Sequence, residues 1–120
     1  MKKIMKKPPV LTENREFQKV YRRGKYAATA FLVIYCLYNR TETTRIGITT
    51  SKKVGNSVKR NRMRRLIREN IRILYDQLVP GFDIVIVARK TETTAKLEII
   101  GKEIRYLLHK LGLLDKEREC

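Results

Sequence analysis

Apolar positions along this chain follow two rhythms, and each marks out elements. Phe17, Val20 and Tyr21 recur at i, i+3, i+4, the spacing of a helix with one buried side. That helix runs from about Thr12 or Asn14 to Arg23. Either residue supplies the N-cap, Gly24 supplies the stop, and Arg22 and Arg23 suit the helix dipole. Period-two alternation follows over Ala30–Tyr38, with Phe31, Val33, Tyr35 and Leu37 on one strand face and Leu32, Ile34 and Cys36 on the other. Lys25–Ala28 forms a short extra strand, and Arg45–Ser51 returns after the polar turn 39–44 as a hairpin partner of Ala30–Tyr38. The loop Lys52–Gly55 leads into a long helix from Asn56 or Ser57 to Leu78, closed by Pro80-Gly81. The unbroken apolar run Phe82–Ala88 reads as a central strand. A last helix from about Thr94 to Leu111 turns Leu97, Ile100, Ile104, Leu107, Leu108 and Leu111 inward, with Gly112 as its stop. The order α-β-β-β-α-β-α predicts an α+β fold, a single-domain α/β sandwich of three helices on a sheet of about four strands. Residues 1–10 read as a flexible basic arm, 11–113 as the domain and 114–120 as a tail.

At 120 residues and 42% hydrophobic, the chain has enough material for one core. No apolar run approaches membrane-spanning length, and the basic opening MKKIMKKPPV lacks the apolar centre of a signal peptide. Cys36 and Cys120 make no disulfide framework, so a reducing, cytoplasmic setting is expected. Net charge changes the picture more. The formal total is +16, and it is lopsided: residues 1–72 carry 20 basic and 4 acidic side chains, residues 73–120 carry 8 of each. Such concentrated charge repels itself in a compact state and calls for a polyanion. An anionic membrane fits less well, because there is no lipidation signal and no basic helix with a bulky apolar outer face.

The long helix is electrically inverted. Helix N-termini favour acids, yet Lys52–Arg68 holds Lys52, Lys53, Lys59, Arg60, Arg62, Arg64, Arg65 and Arg68 with no acid before Glu69. Met63, Leu66, Ile67, Ile71, Leu74 and Leu78 share one side; Asn61, Arg64, Arg65, Arg68 and Arg72 share the other. Arg64, Arg68 and Arg72 are i, i+4 neighbours whose repulsion costs about 0.2–0.5 kcal/mol per pair. A merely solvated face mixes signs, and this one does not. An arginine row on a helix with its positive end outward is a phosphate-binding surface. On the aromatics the residues leave two readings open. Phe31 suits the core, whereas Tyr21 and Tyr35 are either core rings or the wall of an open groove on which unpaired bases stack.

The run Ser51–Glu69, with Arg60-Asn61-Arg62 on a helix after Lys52-Lys53-Val54-Gly55-Asn56, closely resembles the signature of the bacterial ribonuclease P protein component. The resemblance continues upstream through Glu16–Gly24 and Arg45-Ile46-Gly47 and downstream through Phe82–Arg89, covering roughly 11–113. It implies helices on a four-stranded sheet with a left-handed βαβ crossover, against the usual handedness. It also implies a subunit of a ribonucleoprotein that hydrolytically removes the 5′ leader of precursor tRNA, with the RNA subunit carrying the chemistry and holding most of the Mg²⁺. By match, Arg60, Asn61, Arg62, Arg64, Arg65 and Arg68 contact the ribonuclease P RNA, with Lys52, Lys53, Asn56 and Lys59 in the same basic segment. Phe17, Tyr21 and Tyr35 match the cleft for the single-stranded leader, which favours the groove. No membrane or small-molecule partner is implied.

Nothing in the chain marks a catalyst. His109 stands alone among Tyr106, Lys110 and leucines, no His/Cys cluster has metal-ligand spacing, and the carboxylates are scattered. The competing reading is a structural RNA-binding protein of ribosomal type, which shares the basic composition and a small sandwich.

Overall fold

The computed structural model describes residues 8–90 and 96–114. Helix α1 spans Asn14–Arg23, followed by strands β1 Lys25–Ala28, β2 Leu32–Tyr38 and β3 Arg45–Thr50. A 3-10 turn, Lys52–Val54, leads into α2 Ser57–Leu74. A second, Tyr75–Gln77, precedes β4 Phe82–Ala88 and α3 Leu97–Lys110. The four strands form one mixed sheet in the order β1-β2-β4-β3.

The apolar run of β4 takes an inner place, as its sequence predicts. It pairs antiparallel with β2, with Ile34 opposite Ile86, and parallel with β3, with Ile48 opposite Ile86. The hairpin expected between β2 and β3 is therefore corrected. The antiparallel partners of β2 are β1, through the tight link 29–31, and β4. Only a strand apolar on both faces can sit between two others under helices on both sides, and Gly47 and Thr49 suit β3 to an edge. The connection through α2 makes β3 and β4 parallel. Phe31 belongs to the β1–β2 turn rather than the strand, and it packs against the main core as expected of it.

Helices α2 and α3 cover one face of the sheet. Leu32, Ile34, Ile84 and Ile86 meet Met63, Ile67, Ile71 and Leu74 of α2 and Ile100, Ile104, Leu107 and Leu108 of α3, all buried. On the other face α1 covers a smaller cluster of Leu11, Val20 and Val85, flanked by half-buried Phe17, Tyr21, Tyr35 and Leu37. The sheet is thus dry on one side and half-covered on the other.

Several element ends differ from expectation. The N-cap of α1 is Glu13, not Thr12 or Asn14, because Glu13 and Glu16 form a capping box; the Glu13 N–H donates to Glu16 Oε1 at 3.3 Å. The long helix stops at Leu74, and its last turn tightens to 3-10 so that Leu78 reaches the core from outside the helix. Helix α3 begins at Leu97, which stays 37% exposed rather than inward, and Thr94 lies outside the described residues. Of the expected N-terminal arm only Pro8–Val10 is described, and there Val10 bridges to Ile46 while the Ile46 N–H donates to the Pro9 carbonyl at 2.9 Å. Leu114, the one described residue of the expected tail, bridges to Leu78. Cys36 is buried; Cys120 lies outside the described residues.

Candidate nucleic-acid interface

The basic segment begins where the sheet ends. Ser51 N–H donates to the Ala88 carbonyl, holding the start of the 3-10 turn to the end of β4. Ser51 Oγ accepts from the Lys53 N–H, and both Lys52 and Lys53 project into solvent. Gly55 then turns the chain at φ +136°, a conformation an L side chain rarely adopts. Asn56 is the N-cap of α2: its Oδ1 accepts from the Lys59 N–H at 3.0 Å. A residue assigned to RNA binding thus also fixes where the helix starts.

Along α2 the cations divide by their anchoring. Arg60 donates to the Gly55 carbonyl at 2.7 Å, folding back on the turn. Arg64 is half-buried beside β3, donating to Thr50 Oγ1 at 3.0 Å and to Asn61 Oδ1. Lys59, Asn61, Arg62, Arg65, Arg68 and Arg72 are exposed. The first turn contains no acid, so the dipole's positive end and the side chains add. Arg64 is held by hydroxyl and amide oxygens rather than by a carboxylate, so its charge stays available to an anion.

The arginine that folding uses is treated differently. Arg45 is clamped by Asp83 at 2.8 Å and Glu16 at 2.9 Å, tying α1 to β3 and β4. The hydrogen bonds it donates to these carboxylates, Asp83 first, hold its pKa above the ordinary arginine value against the opposing effect of burial. Burial would raise the Glu16 carboxyl, but the Arg45 guanidinium and backbone donors outweigh it and leave its pKa lowered.

On the opposite face of the sheet the structure brings Phe17, Tyr21 and Tyr35 together. Ring centroids stand 6.5 Å apart for Phe17–Tyr21 and 4.9 Å, edge to face, for Tyr21–Tyr35. Phe17 packs closely on Gly47, where a Cβ would come within 2.7 Å of its ring. Burial, with a smaller contribution from neighbouring Tyr35, pushes the Tyr21 hydroxyl pKa up, so it stays a neutral donor. The row has a fourth member that the sequence reading missed. Tyr26 on β1 is opposite Tyr35, 5.6 Å away, and 66% exposed. The hairpin register that pairs residues 26 and 35 was the available signal. All four rings are partly open, so this face presents π surfaces and hydroxyls together.

Among the described residues no three of His, Cys, Asp and Glu come together as a metal site, and no helix is long and apolar enough to cross a membrane. His109 is an exposed residue of α3.

Residues 5–112 match the Ribonuclease P family. The ribonuclease P protein component of Clostridioides difficile (strain 630) is 44% identical over 104 residues, 86% of this chain and 91% of that protein. That of Clostridium perfringens (strain SM101 / Type A) is 41% identical over 115 residues, 90% and 92% of the two chains. The solved RNase P protein of Staphylococcus aureus superposes with a TM-score of 0.79 at 29% identity, over 88% of this chain and 96% of that one. The Thermotoga maritima RNase P protein shares the fold, with a TM-score of 0.74 at 23% identity, over 84% and 96% of the chains.

Proposed function

Because the chain belongs to the ribonuclease P protein family, we propose that it binds the ribonuclease P RNA through α2 and the single-stranded 5′ leader of precursor tRNA through the Tyr face. The carrying observation is the two-sidedness of α2. Its inner side is fully committed to the core, while its outer side gathers cations of one sign at the positive end of the helix. Folding has no use for that arrangement. Phosphates do, since each neutralised cation releases condensed counterions. Lys52, Lys53 and Lys59 act as mobile point charges, and the guanidinium groups of Arg60, Arg62, Arg64, Arg65 and Arg68 give directed pairs of hydrogen bonds. The rings of Phe17, Tyr21 and Tyr35 accept unpaired bases of the leader by stacking, which is tolerant of sequence.

In this reading the chain positions and neutralises, and the RNA cleaves. Mg²⁺ would be held by the RNA rather than by this chain's residues, and there it would supply the activation of water and the stabilisation of the leaving oxygen. The protein's residues bring the leader into line and relieve the repulsion between the two RNAs, so its help is greatest when Mg²⁺ is scarce.

The test is to add the protein to ribonuclease P RNA at low Mg²⁺ and follow 5′ processing of precursor tRNA. Stimulated cleavage is expected, and Tyr35→Ala is expected to weaken binding of leader-bearing precursor by about 1–3 kcal/mol without affecting mature tRNA. No stimulation, with co-sedimentation on ribosomal subunits instead, would replace this reading with the ribosomal one. Equal losses for both RNAs would remove the leader from the Tyr face.

A further inference from the structure

A cavity of about 560 Å³ opens at the β3 edge of the sheet, between the N-terminal segment Pro8–Leu11 and the outer flank of α2. Its floor is aliphatic: Ile46 and Ile71 are buried, Ile48 is half-buried, and Val10 stands at the mouth with 61% of its surface exposed. Arg68 and Arg72, one helical turn apart, form the rim. Neither makes an ion pair among the described residues, in contrast to Arg45. The arrangement therefore offers an apolar seat bordered by two guanidinium groups with no ion-pair partner among the described residues.

That chemistry narrows the occupant. A duplex backbone would use the arginines but has no use for the aliphatic floor. An apolar side chain of a protein partner would use the floor but would leave two cations facing it. An unstacked nucleotide uses both, since a base is a flat, weakly polar plate and its phosphate is an anion. Guanidinium planes also stack on bases. Cavities of a few hundred Å³ are of the size that holds such a ligand. The rim is continuous with the Arg64–Arg68–Arg72 row, so a nucleotide seated here belongs to the RNA already lying along α2.

We propose that this cavity seats one unpaired, extruded base of the ribonuclease P RNA, with Ile48 and Val10 against its face and Arg68 and Arg72 on its flanking phosphate. The inference rests on the reading that α2 faces that RNA. It makes Arg72, which lies outside the Arg-Asn-Arg segment, a nucleotide-binding residue, and it makes shape complementarity part of an interface otherwise governed by charge.

The experiment uses the full chain and ribonuclease P RNA. Ile48→Phe and Val10→Trp fill or cap the cavity without changing charge. Each is expected to weaken binding roughly tenfold at every salt concentration, the usual worth of one stacked base, while the slope of log K against log salt is unchanged. In the unsubstituted protein with labelled isoleucine methyls, the Ile48 methyl signal is expected to move upfield on adding the RNA, the ring-current signature of a base above it. This second measurement stands even if a filled variant fails to fold. Wild-type affinity in the filled variants, or an Ile48 methyl that does not move upfield while the protein binds with a steep salt slope, overturns the base seat and leaves the proposed function intact. A flattened slope in the filled variants would mean they merely displaced the arginines, and it also overturns the seat. A wild-type protein that ignores the RNA removes both.

Discussion

Helices α2 and α3 lie side by side on the same face of the same sheet, and their inner sides are interchangeable in kind. Met63, Ile67, Ile71 and Leu74 of one and Ile100, Ile104, Leu107 and Leu108 of the other are all buried. Their outer sides each expose apolar residues, Val58 and Ile73 on α2, but differ in charge. Helix α3 mixes Glu98 and Glu103 with Lys102, Arg105 and Lys110, has an acid in its first turn, and exposes Ile99 and Tyr106. Helix α2 has one acid, Glu69, against seven cations, and none of its first turn is acidic. Since both helices bury inner sides of the same kind in one cluster, the core does not dictate the outer face of α2. Its repulsion is tolerated, and the explanation has to lie outside the chain.

The inner sides can be broken first. Ile67→Ala in α2 and Leu107→Ala in α3 are each expected to cost about 2–5 kcal/mol in a urea titration, since both side chains are fully buried in one cluster. A large difference between the two would mean that the helices are not equivalent supports. A smaller effect is expected where they touch. Gly101 of α3 leaves room for Asn70 of α2, whose amide donates to the Leu66 and Leu97 carbonyls at 3.0 and 3.1 Å, and a Cβ at 101 would lie 2.5 Å from Asn70 Oδ1. Gly101→Ala is expected to cost about 1–3 kcal/mol through overpacking. Combining it with Asn70→Ala should cost less than the two separate losses together, which a double-mutant cycle reads directly. The smallest effect sharpens the contrast most. Arg68→Glu replaces two like-charge contacts, with Arg64 and Arg72, by two favourable ones, and is expected to stabilise the free protein by roughly 0.8–2 kcal/mol at low salt. No gain would mean the row carries no repulsion to relieve.

How far the residues disclose all this depends on range. Helices and strands were legible because their signals are local: the 3.6-residue stripe through Met63, Ile67, Ile71 and Leu74, and the unbroken apolar run of β4. The basic row was legible for the same reason. The pairing of β3 was not, because register between strands separated by a helix is a tertiary choice that local alternation leaves undecided. Glu13 escaped notice as an N-cap because its type is uncommon there and only its reciprocal bond with Glu16 reveals it. Tyr26 was hidden by the hairpin turn; Arg72 was legible as part of the basic row, but the cavity it borders forms only in the fold. Arg45, Asp83 and Glu16 come from three elements and meet only in the fold.

Salt dependence of binding to ribonuclease P RNA tests the cation face most directly. With about six phosphates neutralised, log K is expected to fall against log salt with a slope of roughly −4 to −5, and Arg64→Ala with Arg68→Ala together should flatten it by about 1.4–1.8. A slope that the double substitution leaves unchanged would show the row to be a solvated surface and contradict the account.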